Sequence, residues 1–232
     1  MKINNEVLKT YLKQINCNNI INEVKLNFEE NGISCLVMNQ ENTIMVSNKL
    51  ANSNFIGYEK SGIIVTDNLS LLIKILDRFD GDINIKKDEN LLKISNDNRE
   101  CEFILVSEDF IEDVKKMPNL EYKNILKIDS KTILDSLKNS DIVEDKFSEV
   151  KLELKDKTLI IECGYTNKII DKHKLKDKYE NFTVGFNVEL LKKTISTIEG
   201  EVELHLGKNL PLKIVKITDN SNLFYIIASR LE

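Results

Sequence analysis

The sequence has no apolar run long enough to span a bilayer, and its opening residues, Met1-Lys2-Ile3-Asn4-Asn5, are not backed by the apolar core of a signal peptide. That absence predicts a soluble, intracellular protein with no membrane partner. Cysteine is scarce and scattered. Cys17, Cys35, Cys101 and Cys163 form no CxxC pair and stand far in sequence from both histidines, which argues against disulfides and metal ligation and for reduced thiols. Cys35 and Cys163 fall in strand-like runs, where a thiol behaves as a small hydrophobe. The chain also lacks a GxxxxGK[ST] phosphate loop, a GxGxxG turn and an HExxH helix. His173 sits in the charged run Asp171-Lys172-His173-Lys174, and His205 alternates with Val202, Leu204 and Leu206. Both read as surface histidines rather than general bases. The acidic pairs Glu29-Glu30 and Glu108-Asp109 lie at turns or segment ends, where solvation accounts for them. The expectation is a protein that is not an enzyme and needs no cofactor or metal. Positive charge is not in surplus either: the formal net charge is −5. This excludes an all-over basic coat for nucleic acid but not a local basic surface.

What is there is a repeat. Asn68-Leu69-Ser70-Leu71-Leu72-Ile73-Lys74-Ile75-Leu76-Asp77-Arg78-Phe79-Asp80-Gly81 runs against Asn187-Val188-Glu189-Leu190-Leu191-Lys192-Lys193-Thr194-Ile195-Ser196-Thr197-Ile198-Glu199-Gly200. A shift of 119 takes Leu69 to Val188, Lys74 to Lys193 and Gly81 to Gly200, and lays Ile83 and Ile85 on Val202 and Leu204. Two large copies are too few for a solenoid and point to paired homologous domains. The length of 232 residues allows two domains with a core each, and 41% hydrophobic residues make them globular rather than disordered.

Periodicity gives each half the order helix, strands, helix, strands. Val7, Leu8, Tyr11, Leu12 and Ile15 draw one apolar stripe, and Leu71, Leu72, Ile75, Leu76 and Phe79 draw a second. Leu190, Leu191, Thr194, Ile195 and Ile198 repeat it. The weakest helix is expected at Ser130–Leu137, on Ile133, Leu134 and Leu137, with Ser130 as its cap. Period-two runs such as Val24-Leu26-Phe28 and Val150-Leu152-Leu154 predict strands, as do 33–38, 43–47, 62–65, 83–86, 91–95 and 102–106. The second half adds strands at 158–163, 183–186, 201–206, 212–218 and 224–229. Glu30-Asn31-Gly32, Asp88-Glu89-Asn90 and Thr218-Asp219-Asn220-Ser221 mark turns. The run 108–122 has neither period and holds one of only two prolines, so it reads as an extended linker between domains at 1–107 and 123–232. Its Phe110, Ile111, Val114, Met117 and Leu120 either pin it to a sheet or leave an apolar groove.

At 100° per residue, Lys9 and Lys13, Lys74 and Arg78, Lys131 and Lys138, and Lys192 and Lys193 lie opposite or beside the four stripes, with Asp77 and Asp135 among them. An acidic chain thus puts lysine or arginine on the free side of every predicted helix.

Three stretches, Gly32–Asn39, Met117–Tyr122 and Leu210–Ile214 with Phe224–Glu232, together resemble the DNA sliding clamps of the proliferating-cell-nuclear-antigen type. Gly32-Ile33-Ser34-Cys35-Leu36-Val37-Met38-Asn39 is similar to the family's strand ending in a methionine–aspartate pair, with Asn39 in place of the acid. Met117-Pro118-Asn119-Leu120-Glu121-Tyr122 is similar to the end of its interdomain connecting loop. Leu210-Pro211-Leu212-Lys213-Ile214 and Phe224-Tyr225-Ile226-Ile227-Ala228-Ser229-Arg230-Leu231-Glu232 resemble its last two strands, with Ser229 where proline is usual. The resemblance implies an α+β fold of duplicated clamp domains, each with two helices packed on antiparallel sheets, assembling into a ring as a homotrimer. It implies a DNA polymerase processivity factor that encircles double-stranded DNA without reading sequence. Lys9, Lys13, Lys74, Arg78, Lys131, Lys138, Lys192 and Lys193 would face the DNA. The implied partners are DNA polymerase, a clamp loader ATPase and other replication and repair proteins bearing short clamp-binding peptides. The peptide pocket would involve Met38, Thr43, Met45, Met117, Pro118, Pro211, Ile226, Ala228 and Leu231. The place of action would be the cytoplasm or nucleoid, or a nuclear or viral replication site in a eukaryotic host. A checkpoint-type or heterotrimer subunit acting as a protein-interaction scaffold is the alternative.

Overall fold

The structure, a computed structural model, describes residues 1–114, 116–143 and 149–230. It divides into two compact units: Met1–Gln40, Met45–Met117 and Ile217–Leu223 in the first, and Glu41–Ile44, Pro118–Lys216 and Phe224–Glu232 in the second. In chain order the elements are β1 (Lys2–Asn4), α1 (Asn5–Asn16), β2 (Val24–Glu29), β3 (Gly32–Met38), β4 (Ile44–Ala51), β5 (Phe55–Ile56), β6 (Gly62–Thr66), α2 (Leu69–Leu76), β7 (Asp82–Asp88), β8 (Leu91–Asn96) and β9 (Arg99–Ile104). After the linker come β10 (Asn124–Asp129), α3 (Ser130–Leu137), α4 (Ser140–Val143), β11 (Glu149–Lys155), β12 (Thr158–Cys163), β13 (Ile169–Lys174), β14 (Phe182–Asn187), α5 (Val188–Ile195), β15 (Glu201–Leu206), β16 (Leu212–Ile217), β17 (Ser221–Ile227) and β18 (Ser229–Arg230).

The repeat holds at the level of strand order. In the first unit β5-β1-β7-β8-β9 form one run of neighbours and β4-β3-β2-β6 another. In the second, β10-β15-β16-β17 answers the first run and β13-β12-β11-β14-β18 the second. Pairing within these runs is antiparallel, as between Leu26 and Ile64 or Leu152 and Ile161. Each unit therefore opens with a strand, where periodicity predicts a helix, because Lys2–Asn4 and Asn124–Asp129 are too short or too mixed to stand out.

The helix ends repeat as well. Asn4 and Asp129 cap α1 and α3 by accepting from the amides two residues on, while Asn68 and Asn187 cap α2 and α5 from three residues on. Asp129 rather than Ser130 is thus the cap of α3. Ser130 is buried and gives its hydroxyl to Ile198 O at 2.8 Å. Its counterpart Asn5 reaches the same place in the first unit, donating from Nδ2 to Leu76 O and Phe79 O at 2.9 and 2.6 Å. The amides of Asn5 and Ser130 then bond Gly81 O and Gly200 O, each at 2.9 Å. The start of one helix is tied to the exit of the other by the same backbone bond twice.

A second duplicated stitch joins helix to sheet. On α1, Tyr11 O and Gln14 Oε1 accept from Asn48 Nδ2 of β4. At the matching positions on α3 and just past its end, Ser136 Oγ lies 2.9 Å from His173 Nε2 and Asn139 donates to Asp171 Oδ2 at 2.8 Å, both partners on β13. His173 is therefore a half-buried bonding partner, not a bare surface residue.

The apolar stripes pack as cores. Leu8, Leu12, Leu26, Ile33, Leu72 and Ile94 close the first, and Ile133, Leu137, Leu152, Leu191 and Val202 the second. Burying each such side chain contributes roughly 1.5–3 kcal/mol. On α2 the buried set is Leu69, Leu72, Ile73 and Leu76, and Leu71 is 45% exposed. The phase differs from the sequence reading because LSLLIKIL is apolar on almost every side. No helix among the described residues is long and apolar enough to cross a membrane.

Cys17, Cys35 and Cys163 are buried and Cys101 is half-buried. Burial pushes the Cys35 thiol up to about 12 and that of Cys163 up to about 11. One thiol per chain is expected to react with a disulfide reagent under native conditions, and four after denaturation. Removal of the fast phase by Cys101→Ser checks the assignment.

Candidate nucleic-acid interface

In the first unit α1 packs beside α2, and in the second α3 packs beside α5. Each helix turns its apolar side to a sheet and leaves one face in water. On α1 that face carries Glu6, Thr10 and Lys13; on α2 it carries Leu71 and Lys74, continued by Asp77 and Arg78. On α3 it carries Lys131 and Asp135, continued by Lys138, and on α5 Glu189 and Lys193. Charges balance on α1 and α5, and each of α2 and α3 keeps one net positive charge. Against a whole-chain charge of −5, α2 in the first unit and α3 in the second each carry a mildly basic face.

The eight cations expected at this face divide. Lys74, Arg78 and Lys131 are exposed and form no ion pair among the described residues. Lys13 is exposed and only loosely paired, at 3.8 Å from Asp77. Lys193 is exposed. Lys138 is exposed and held by Asp135 at 3.0 Å. Two positions are less free than the helical wheel has them. Lys9 keeps only 14% of its side chain exposed, between Glu6 at 2.6 Å and Asp77 at 3.4 Å. The bond to Glu6 outweighs burial and, with that to Asp77, raises its pKa. Lys192 is 18% exposed, with Asp141 at 2.6 Å and Glu189 at 2.7 Å. Burial works against its charge, but those two bonds outweigh it and raise its pKa. Lys9 and Lys192 therefore sit on helix flanks with their charge already answered. The helical wheel missed this because Asp141 comes from α4, a four-residue helix with no periodicity to read.

The residues expected to receive a partner peptide are placed as follows. In the first unit Met38 and Met45 face each other across β3 and β4, both half-buried, and Leu36 lies two residues along the same face. The alternation of β3 is the signal that puts Leu36 there, and the family resemblance does not point to it. Met117 is half-buried and Phe110 is 58% exposed. Lys25 fastens this side of the linker through Asp113 at 2.7 Å. In the second unit Pro118 and Ala228 are exposed, and Thr43 and Pro211 are half-buried. Ala228 N donates to Thr43 O at 2.9 Å. Ile226 is 8% exposed and packs with the core of its unit. Leu231 lies outside the described residues. Tyr122 anchors the linker's other end, donating to Pro211 O at 2.9 Å, and its phenol is pushed up to about 12 by burial. His205 stands edge-on to it at 5.6 Å, its pKa lowered chiefly by burial.

No protein-family model matches the chain. Whole-length comparison does. A protein of Methanococcus maripaludis strain C5 named "DNA polymerase sliding clamp" is 26% identical over 246 residues, covering 97% of this chain and 96% of its own. A Haloarcula marismortui protein of the same name is 25% identical over 84% of this chain and 83% of its own. Among solved structures, A. fulgidus PCNA bound to the C-terminal region of FEN-1 superposes with a TM-score of 0.86 at 20% identity, over 100% of this chain and 98% of that one. The chain has the fold of the PCNA-type sliding clamps. Within that clamp fold, no three His, Cys, Asp or Glu residues among those described gather as metal ligands. A chain of the PCNA2-PCNA3 complex of Sulfolobus tokodaii, with a TM-score of 0.80 at 15% identity, shows that the clamp fold also occurs in heteromeric company.

Proposed function

We propose that the chain is the protomer of a sliding clamp that encircles duplex DNA and tethers DNA polymerase, giving processivity. The observation that carries this is the likeness to DNA polymerase sliding clamps over 97% of the chain. Cations on helix faces suit the role, since they attract phosphates without reading bases and hold the duplex loosely enough to slide. A closed ring of three copies, opened by a clamp loader ATPase, is the assembly this reading requires. Primer extension on a singly primed circular template tests it. With polymerase and loader present, adding the chain should lengthen products in the presence of trap DNA. Unchanged product length would remove the proposal.

The same reading assigns short peptides of polymerase and other replication proteins to the half-buried apolar face of β3 and β4. Support comes from the methionine pair Met38 and Met45, because flexible thioether side chains accept varied partners. The neighbour bound to a FEN-1 C-terminal region is consistent with it. Met38→Glu, in a chain that stays folded, should weaken a polymerase C-terminal peptide by about tenfold or more, since it sets a charge against an apolar plug. Ala228→Glu is the matching test in the second unit. Parental affinity in both variants would place the peptide elsewhere.

A further inference from the structure

We infer that His205 is a positioning residue for the linker's end: uncharged, it backs Tyr122 against Pro211, and on taking up a proton it releases Tyr122 and weakens the partner-peptide site beside it. This rests on the peptide reading above and adds to it a dependence on pH.

Three residues of the second unit that no motif or period connects meet at this point. The Tyr122 hydroxyl donates to Pro211 O at 2.9 Å, and His205 stands edge-on to the Tyr122 ring, the centroids 5.6 Å apart and the planes at 86°. Pro118 and Pro211 are both expected at the peptide pocket. The first lies on the same short run as Tyr122, and the second takes its hydrogen bond. Freeing Tyr122 therefore loosens one pocket residue and uncouples the other.

The two rings are held unequally. His205 sits inside β15, with Ile125 of β10 opposite on one side and Lys213 of β16 opposite on the other, so the ladder fixes its backbone. Its side chain is 15% exposed. Tyr122 precedes β10, is half-buried, and lies between the exposed Glu121 and Lys123. Tyr122 is the part of the cover that can move.

The charges facing His205 come from several elements. On its own strand Glu203 Oε2 lies 3.3 Å from Nε2, but Lys127 of β10 shares that carboxylate at 3.6 Å. From β16 comes Lys213, whose ammonium lies 5.4 Å from the Phe224 ring centroid. From the linker comes the Tyr122 phenol, pushed up to about 12 by burial and so uncharged. Lys123 beside it pairs with Glu180 at 3.2 Å. On β10 the facing residue is Ile125, whose carbonyl takes the Tyr179 hydroxyl at 3.3 Å; burial, then Asp177, raises the pKa of that phenol, so it too is neutral. Burial is the largest influence on His205 and lowers its pKa from 6.5; Glu203 opposes this and Lys213 adds to it.

The sign follows from which form is covered. With Tyr122 in place, the imidazole resists a proton. With Tyr122 moved off, water reaches the ring while Glu203 stays beside it, so the released form binds a proton more readily. By linkage, falling pH favours release. The anchor is complete above the ordinary histidine range and is lost as pH falls below 6.5.

Isothermal titration of the full chain with a polymerase C-terminal peptide lacking histidine, from about pH 8 to about pH 5.5, is the test, read beside NMR of the Tyr122 and His205 rings. The parent should bind about threefold or more weakly at the acid end, and the Tyr122 signals should shift with the midpoint of His205. His205→Gln keeps a donor for Glu203 but takes up no proton, so its affinity should stay level across the range. His173→Gln should keep the parental profile. Tyr122→Phe lacks the bond to Pro211 O and should bind at neutral pH about as weakly as the parent does in acid. Melting transitions confirm that each variant is folded. A flat parental profile, a slope that survives in His205→Gln, or Tyr122 signals that stay fixed while His205 titrates overturns the inference. A peptide that binds at no pH overturns the peptide reading instead, and the ring signals then decide alone whether His205 holds Tyr122.

Discussion

Replacing Lys13, Lys74, Arg78 and Lys131 with alanine in one chain is expected to lower its affinity for duplex DNA by at least about tenfold at moderate salt, with a log–log salt slope shallower by about 0.9 for each phosphate left unneutralised. These four are exposed, and among the described residues Lys13 alone of them forms an ion pair, at 3.8 Å from Asp77. Their charge is therefore available to phosphate. Lys9→Ala with Lys192→Ala is the control. Those side chains are already answered by Glu6, Asp77, Asp141 and Glu189 at 2.6–3.4 Å, so their loss should change the slope little. Thermal stability of the fourfold variant should stay within about 1 kcal/mol of the parent, because none of the four is buried or shapes a core. Fluorescence anisotropy with duplex DNA across a salt series reads the slope. A slope unchanged in the fourfold variant but reduced in the control would mean that the phosphates lie against the flanks, not the free faces.

Gly32→Ala should destabilise the first unit by more than about 3 kcal/mol, from overpacking added to backbone strain. Gly32 begins β3 at φ 126°, and a Cβ there would stand 2.0 Å from Leu50 O and 2.8 Å from Asn52 N. Both are backbone atoms of the neighbouring strand and its exit, so neither can rotate away. Gly57→Ala is the matched control: its φ is also positive, at 62°, but a Cβ there meets nothing within 4 Å. It should cost only about 1–2 kcal/mol, the penalty of a left-handed alanine. Denaturant unfolding followed by a signal from the first unit separates the two. Equal losses would show that dihedral strain alone governs the turn.

The repeat was legible because hydrophobic period and glycine placement survive in the sequence: Leu69 to Val188, Gly81 to Gly200. The structure shows that backbone bonds and caps survive with them, at Asn5 and Ser130 or Asn68 and Asn187. What sequence hid was whatever depends on a partner distant along the chain. The phase of α2 could not be read from LSLLIKIL, since Leu71 and Ile73 are equally apolar and only the neighbouring sheet chooses between them. The helix α4, four residues long, is too short for any period. Strand β13, IIDKHK, alternates charge with histidine and aspartate, and becomes a strand because β12 pairs with it along its length. Lys9 and Lys192 look like free cations on a wheel, because a wheel shows one helix and their carboxylates come partly from the next. Ile226 enters the expected pocket through the family resemblance, which carries no information on how far this side chain is buried. In the structure Leu223, Tyr225, Ile226 and Ile227 are all buried, so alternation fails at that point.

The backbone bonds from Asn5 to Gly81 and from Ser130 to Gly200 tie each unit's first helix to a residue about 70 positions further on. A growing chain cannot make either tie until most of that unit has been synthesised. Contacts so distant in sequence must be found by search rather than by zipping from a local nucleus, and they slow folding relative to a helical bundle of equal size. Each unit should therefore fold late in its own synthesis, with its first helix waiting for its second.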